Sequence, residues 1–109
     1  MNFNEYQKLA MVTRNPNLDR NAQLAMGALG LTGEAGETAE LVKKHLYHDH
    51  PLDVDKLAKE IGDVMWYLAS LSQSLGLKLE DVAVKNIEKL KARYPDGFSA
   101  QKSLFRNDY

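Results

Sequence analysis

Two pairs of acidic residues have the spacing of a cation-binding site. Glu34 and Glu37 are three positions apart, and so are Glu60 and Asp63. In a helix, a step of three residues leaves two side chains on one face, with their Cβ atoms about 5–6 Å apart. Each pair can therefore bind one cation, and we expect all four carboxylates to converge if the helices that carry them are neighbours.

A divalent cation would relieve the repulsion within such a cluster, because carboxylates that lie close together are otherwise pushed towards protonation. The chain has no cysteine, and hard oxygen ligands favour magnesium or manganese; magnesium completes its coordination with water and substrate phosphates. The alternative is that these acidic residues, together with Glu40, lie on solvated helix faces, where Glu40 pairs with Lys43 or Lys44.

The acidic pairs fall on segments that have a helical pattern. The three prolines lie between periodic stretches and never within one, so they mark the connections between helices. No stretch alternates polar and apolar residues as a half-buried strand would. The predicted helices cover about residues 4–13, 19–48 and 80–94, with another that starts after Asp53 and stops at Gly76.

The helix that follows Asp53 has the clearest apolar stripe. Its apolar residues recur at alternating steps of four and three, which is the pattern of a coiled-coil seam and requires a partner helix. They are Leu57, Ile61, Val64, Leu68, Leu71 and Leu75. Four helices with such a seam predict an all-α, four-helix-bundle-like fold, and the length predicts a single domain over residues 1–109.

We expect this bundle to self-associate. Its two long helices would leave apolar surface uncovered in a monomer of this size, so the sequence predicts a homodimer or homotetramer. The tail, residues 95–109, is rich in turn-forming residues and is predicted to be irregular. Phe98 and Leu104 or Phe105 are available to pack it down.

Glycine recurs every third residue in the second helix, at Gly27, Gly30, Gly33 and Gly36. Each glycine costs about 1 kcal/mol relative to alanine in the interior of a helix. The row therefore indicates either a close approach of two helix backbones or room for a ligand. The alternative is a helix that breaks near Thr32 and Gly33.

Charge and hydropathy exclude several classes of function. With 14 Lys plus Arg against 15 Asp plus Glu, the net charge of -1 gives no cationic field for nucleic acid or anionic membranes. The longest apolar run, residues 24–31, is far shorter than a membrane span, and the N-terminal residues lack a signal-peptide core. We therefore expect a soluble cytoplasmic protein with no nucleic-acid or membrane partner.

Three motifs follow one another along the chain. They are Gly33-Glu34-x-x-Glu37, Glu60-Ile61-Gly62-Asp63-Val64-x-Trp66-Tyr67-Leu68 and Asn86-x-x-Lys89-x-x-x-Arg93-Tyr94-Pro95. In this order they resemble the motifs of the MazG-like nucleoside triphosphate pyrophosphohydrolases, over roughly residues 20–100. The resemblance implies an all-α enzyme that cleaves a nucleoside triphosphate between the α and β phosphates and releases a nucleoside monophosphate and pyrophosphate, as in housecleaning of the nucleotide pool.

The resemblance also implies a role for each matched residue. The matched carboxylates would be magnesium ligands: Glu34, Glu37, Glu60 and Asp63. Lys89 and Arg93 would face the substrate phosphates, Asn86 matches a polar position of related sites, and Tyr67 matches an aromatic position near the base. In isolation, Lys89 and Arg93 would be an ordinary solvated pair one helical turn apart. Beside an acidic site they gain a function, because a triphosphate needs cations to approach four carboxylates.

Two other functions stay open at this point. A phosphoribosyl-ATP pyrophosphohydrolase would share the fold and the chemistry, and a non-catalytic helical module would bind a nucleotide or a protein without turnover. Beyond the matched motifs, Ser103 and Arg106 are hypothetical contacts to a phosphate in a neighbouring subunit.

Overall fold

Every regular element within residues 1–106, the part of the chain that the computed structural model describes, is a helix. The first of two compact units, Met1–Leu79, contains three helices and a 3-10 turn, and the second begins at Glu80. The elements are α1 (Phe3–Ala10), the 3-10 turn (Met11–Thr13), α2 (Arg20–Tyr47), α3 (Val54–Ser74), α4 (Leu79–Arg93) and α5 (Ala100–Leu104). The all-α prediction is confirmed, whereas one domain over residues 1–109 stays a prediction. None of the described helices is long and apolar enough to cross a membrane.

Short polar side chains fix where the long helices begin. The Asp19 carboxylate accepts a hydrogen bond from the Ala22 N–H at 2.8 Å, and the Asp53 carboxylate accepts one from the Lys56 N–H at 3.0 Å. Each bond satisfies an N–H group that the helix itself leaves without a partner. Helix α3 ends just before Gly76, which has a φ of 70°. The predicted bounds of both α2 and α3 therefore agree closely with the structure.

Helices α2 and α3 pack side by side in antiparallel directions. A Cβ added at Gly27 would lie 2.8 Å from Leu71 Cδ2, and one added at Gly30 would overlap the Tyr67 ring. As the residue number rises along α2 it falls along α3, which defines the antiparallel register. Because α2 continues through Gly33, the alternative of a helix that breaks near this residue is wrong, and Gly27 and Gly30 serve close packing.

The face of α3 that meets α2 coincides only in part with the predicted seam. Leu71, which belongs to the seam, and Tyr67, which does not, turn towards the glycines of α2, whereas the seam residues Ile61, Leu68 and Leu75 are 54%, 38% and 52% exposed. The heptad spacing identifies apolar residues that lie in one line on the helix. It gives no information about the glycines of α2, which leave space for the Tyr67 ring beside that line. Half of the predicted seam residues therefore lie on the surface of the chain.

Helix α1 packs against α3 around small side chains. The buried hydrophobic residues of the described chain are Ala10, Ala69 and Leu79. Gln7 ties this contact to the connection after α3: its amide nitrogen donates to the Leu77 carbonyl at 3.0 Å, and its amide oxygen accepts from the Leu79 N–H at 2.7 Å. The result is a narrow core in which a buried polar side chain is satisfied by hydrogen bonds.

The tail after α4 contains the short helix α5, so the prediction of an irregular tail is wrong for Ala100–Leu104. Ser99 starts this helix by accepting a hydrogen bond from the Lys102 N–H at 3.3 Å. A helix of this length shows no periodicity from which it could be predicted. The aromatic and aliphatic residues expected to pack the tail are instead largely exposed: Phe98, Leu104 and Phe105. The prediction for residues 107–109 lies outside the described residues.

Candidate active site

Three of the four predicted carboxylates lie together at the contact between α2 and α3. Oxygen atoms of Glu34, Glu37 and Glu60 all lie within 4.8 Å of one another. Glu34 and Glu37 come from adjacent turns of α2, and Glu60 reaches them from α3. The antiparallel register that places Gly30 against Tyr67 continues along both helices, and Glu60, two turns from Tyr67 on α3, meets Glu34 and Glu37, one and two turns beyond Gly30 on α2. We call Glu34, Glu37 and Glu60 the acidic cluster.

The acidic cluster retains a proton at higher pH than an isolated carboxyl group does. The pKa of Glu34 is raised from its ordinary 4.5 to about 7. The largest cause is a hydrogen bond shared with the Glu60 side chain, followed by desolvation and by the negative charges of Glu37 and Asp63. A cation bound between the carboxylates would take the place of this proton.

Two oxygens of the cluster are turned inwards. Oε2 of Glu34 and Oε2 of Glu60 are buried, and within the described part of the chain neither meets a hydrogen-bond donor. Ionised carboxylates only accept hydrogen bonds, so the two groups satisfy each other only while one is protonated. Buried acceptors without a donor are costly. Oxygens from three side chains at one point therefore fit a hard divalent cation such as magnesium or manganese.

Glu40, on the same helix, has an ordinary surface environment. Its carboxylate lies 3.0 Å from Lys43 Nζ and 3.8 Å from Lys44 Nζ. The hydrogen bond from Lys43 is the main reason that the pKa of Glu40 is lowered. The solvated-face alternative is thus correct for Glu40, and the contrast with Glu34 shows that the two carboxylates have different surroundings.

Asp63 lies beside the acidic cluster, at the edge of a pocket of about 350 Å³. The pocket is lined by Glu34 and Asp63 together with Thr13, Trp66 and Tyr67. Its volume falls within the ~300–1,000 Å³ of ordinary small-molecule sites. One wall is therefore anionic and the other aromatic, which suits a ligand with a metal-binding group next to a flat ring.

The aromatic wall is held in place by the turn that follows α1. The Trp66 indole N–H donates to the Ala10 carbonyl at 3.0 Å and to Thr13 Oγ1 at 2.9 Å. Its ring meets Tyr67 edge to face, with 5.1 Å between centroids. Thr13 is a pocket residue that the sequence did not reveal, because it lies outside the matched motifs and in a short turn without periodicity.

The predicted basic and amide residues lie on α4, in the second unit. Asn86, Lys89 and Arg93 recur at steps of three and four, so they share one face of this helix. Asn86 and Lys89 are exposed, whereas Arg93 is half-buried and its guanidinium lies 5.9 Å from the centroid of the Tyr94 ring. Their contact with a substrate stays a prediction.

The fold and the site define an all-α protein with a carboxylate cluster suited to a divalent cation. In comparisons with known proteins, residues 24–98 match the MazG nucleotide pyrophosphohydrolase domain. The chain is also similar to the Gene 37 protein of Mycobacterium phage L5, with 41% identity over 78 residues that cover 68% of each chain. This chain therefore belongs to the MazG nucleotide pyrophosphohydrolase family. No solved structure gives a significant match.

Proposed function

We propose that the protein hydrolyses nucleoside triphosphates between the α and β phosphates, with Mg²⁺ as its cofactor, to give a nucleoside monophosphate and pyrophosphate. The observation that carries the proposal is the acidic cluster beside an aromatic pocket in a chain of this family. The family depends on a metal ion in general. Such an enzyme would remove unwanted nucleotides from the cellular pool.

In this proposal, four carboxylates hold the cation: Glu34, Glu37, Glu60 and Asp63. When bound, the ion supplies positive charge at the phosphates and lowers the pKa of a water molecule. Glu34 would have to be ionised to act as a ligand, so the proton responsible for its hydrogen bond with Glu60 would be absent when a cation is bound. Manganese accepts the same oxygen ligands and is the expected substitute.

The substrate would be gripped by side chains of complementary chemistry. Lys89 and Arg93 neutralise the triphosphate, Arg93 with a planar fork and Lys89 with a point charge. Asn86, on the same face of α4, offers an amide. Tyr67 stacks on the base, a role supported by its place in the wall of the pocket. Phosphoryl transfer depends on such positioning and charge neutralisation more than on covalent catalysis.

A panel of canonical, deoxy and damaged nucleoside triphosphates, incubated with the protein and Mg²⁺, tests this function. Chromatography should show a monophosphate plus pyrophosphate, and excess chelator should abolish turnover. Orthophosphate plus a diphosphate would place the cut at the β–γ bond and contradict the proposal. Turnover of phosphoribosyl-ATP alone would favour the related pyrophosphohydrolase, and ligand binding without any turnover would favour a binding module.

Two variants of one helix provide a matched comparison. Glu37→Gln removes a charge from the acidic cluster, whereas Glu40→Gln removes the same charge from a surface ion pair on α2. We expect Glu37→Gln to reduce kcat/KM by at least about 100-fold, the usual cost of losing a charged group in a site, and Glu40→Gln by less than threefold. Asp63→Asn should resemble Glu37→Gln. Equal, small losses in all three variants would reject the metal-binding role.

We also infer that the working form is a homo-oligomer, either a dimer or a tetramer. Among the described residues only Ala10, Ala69 and Leu79 are buried hydrophobic side chains, and no large side chain is fully buried. An independently stable domain of this length requires a larger core. Association of protomers would supply the missing burial.

Two exposed stripes favour this inference. On α3, Ile61, Leu68 and Leu75 lie seven residues apart and so form one line on the helix. On α2, Met26 and Leu29 are 47% and 74% exposed, and Gly33 and Gly36 continue their face at steps of four and three. A Cβ added at either glycine meets nothing within 4 Å in the protomer. The apolar side chains offer area, and the glycines allow a second backbone to approach closely.

A further inference from the structure

The second unit contains a cationic pocket of its own. The pocket has a volume of about 660 Å³ and lies between the end of α4 and the segment that includes α5. Its lining includes three basic side chains, Arg93, Lys102 and Arg106, together with the polar residues Ser99 and Gln101. Only Arg93 belongs to the matched motifs, and Ser103, the other hypothetical phosphate contact, does not line the pocket.

Local structure explains why these side chains share one space. The chain turns after α4 at Gly97, whose φ of 91° suits glycine. The rings of Tyr94 and Phe98 pack across the turn, with 5.6 Å between centroids. Ser99 then starts α5. Lys102 follows in its first turn, and the chain between Tyr94 and α5 is thus folded back so that α5 residues lie near the end of α4.

The chemistry of the lining points to a multiply charged oxyanion. Arginine provides a planar fork of donors that matches phosphate oxygens, and lysine adds a mobile point charge. The Ser99 hydroxyl and the Gln101 amide, which also line the pocket, can donate further hydrogen bonds. Three cations in one pocket suit a ligand with several negative charges, such as two or more linked phosphates.

We propose that this pocket is a binding site for a polyphosphate group, with Lys102 and Arg106 as phosphate-binding residues beside Arg93. This proposal extends the proposed function and rests on it, because the proposed reaction is the source of the ligand. The group is either the polyphosphate of a bound nucleoside triphosphate or the free pyrophosphate that the proposed reaction releases. In both cases the oxygens of linked phosphates would contact the same three cations.

Calorimetric titration of the protein with inorganic pyrophosphate in excess chelator measures this site directly. Without a divalent cation, the acidic cluster repels pyrophosphate and no turnover takes place. We expect saturable binding with a dissociation constant below about 1 mM. Failure to bind pyrophosphate under these conditions would overturn the proposal.

Matched charge variants identify the pocket as the site. Lys102→Ala and Arg106→Ala should each weaken pyrophosphate binding about tenfold or more, because each removes a charge-assisted contact. Lys91→Ala removes the same charge from an exposed position on α4 that does not line the pocket, and it should weaken binding less than threefold. Equal weakening in all three variants would show that only the net charge matters and would overturn the proposal. Far-UV circular dichroism confirms that each variant is folded.

Competition separates the two sources of the ligand. A non-hydrolysable nucleoside triphosphate that displaces pyrophosphate from the wild-type protein supports a site for the substrate's polyphosphate. Pyrophosphate binding that persists beside the analogue supports a site for the free product. Turnover of nucleotides with Mg²⁺ is measured separately. If the wild-type protein turns over nucleotides but binds no pyrophosphate, only the polyphosphate site is contradicted. If it binds pyrophosphate but shows no turnover, only the proposed function is contradicted.

Discussion

Replacing Gly30 with alanine tests the contact that positions Tyr67. The added Cβ would overlap the Tyr67 ring, so the ring or the α2 backbone must move. Overpacking of this kind costs about 1–3 kcal/mol. Alanine recovers about 1 kcal/mol relative to glycine in a helix interior. Because the overlap is with a ring rather than with a flexible chain end, we take the upper part of the first range and expect a net loss of about 1–2 kcal/mol.

Thermal unfolding followed by circular dichroism measures this loss. For a domain of this size it lowers Tm by roughly 5–10 °C. Gly62→Ala is the matched control, since a Cβ at Gly62 in α3 meets nothing within 4 Å, and it should raise stability by about 0.5–1 kcal/mol. Displacement of Tyr67 should also raise KM for the nucleotide, because that ring lines the pocket beside the acidic cluster.

A double-mutant cycle isolates the cause. In a Tyr67→Ala background the ring is absent, so Gly30→Ala should become neutral or stabilising. If Gly30→Ala raises Tm as Gly62→Ala does, or if its cost persists without the Tyr67 ring, the close contact between α2 and α3 at this point is refuted. The cycle works on the protomer or on an oligomer, because it compares the same substitution in two backgrounds.

Three further predictions address charge and assembly. Arg93→Ala should lower kcat/KM about 100-fold, equivalent to roughly 2–4 kcal/mol, while Lys78→Ala should change kcat/KM less than threefold. Equal effects of the two substitutions would show that Arg93 is only a solvated surface charge. In metal-free protein, the raised pKa of Glu34 contributes stability that is fully present below pH 4.5, its ordinary pKa, and is lost as the pH rises to about 7. The difference in Tm between wild type and Glu34→Gln should therefore shrink across that pH interval. An unchanged difference would contradict the raised pKa. The molar mass measured by light scattering at micromolar concentration should be at least twice the 12.3 kDa of one chain. A mass equal to that of one chain would contradict the oligomer.

The bounds of the long helices could be predicted because local signals mark them. Asp19 and Asp53 cap α2 and α3, and Gly76 follows the end of α3. The short helix α5 had only its cap, Ser99, as a signal. Caps and turn residues act within a few positions of the chain, which is why they can be read from one sequence while a five-residue helix cannot.

The packing face of α3 was harder to predict than the helix itself. Apolar spacing predicted the contact of Leu71 with α2, but it also placed Ile61, Leu68 and Leu75 in that face, where they stay exposed. It did not identify Tyr67, whose ring lies over Gly30. The deciding factor is shape, because glycines on α2 leave space that a ring can fill, and hydropathy alone does not record shape. A glycine row in one helix and a large side chain in the next would be the pattern to search for.

The acidic cluster could be predicted to the extent that a helical period places Glu34 and Glu37 on one face. That Glu60 faces them depends on the register between two helices, which no local spacing determines. Thr13 reaches the pocket through the turn after α1, and its contact with Trp66 joins positions far apart in the chain. Tertiary contacts of this kind leave no periodic signal.

The site and the helix packing share one register. Along α2, Gly27 and Gly30 meet Leu71 and Tyr67 of α3, and Glu34 and Glu37 follow and meet Glu60, two turns from Tyr67. A shift of α3 by one residue would rotate Glu60 by about 100° away from Glu34 and would also remove the Tyr67 ring from its space over Gly30. The close contact at the glycines therefore holds the carboxylates together even though, without a cation, their charges repel. This is why a substitution at Gly30, which bears no charge, is expected to disturb both the aromatic wall and the acidic cluster.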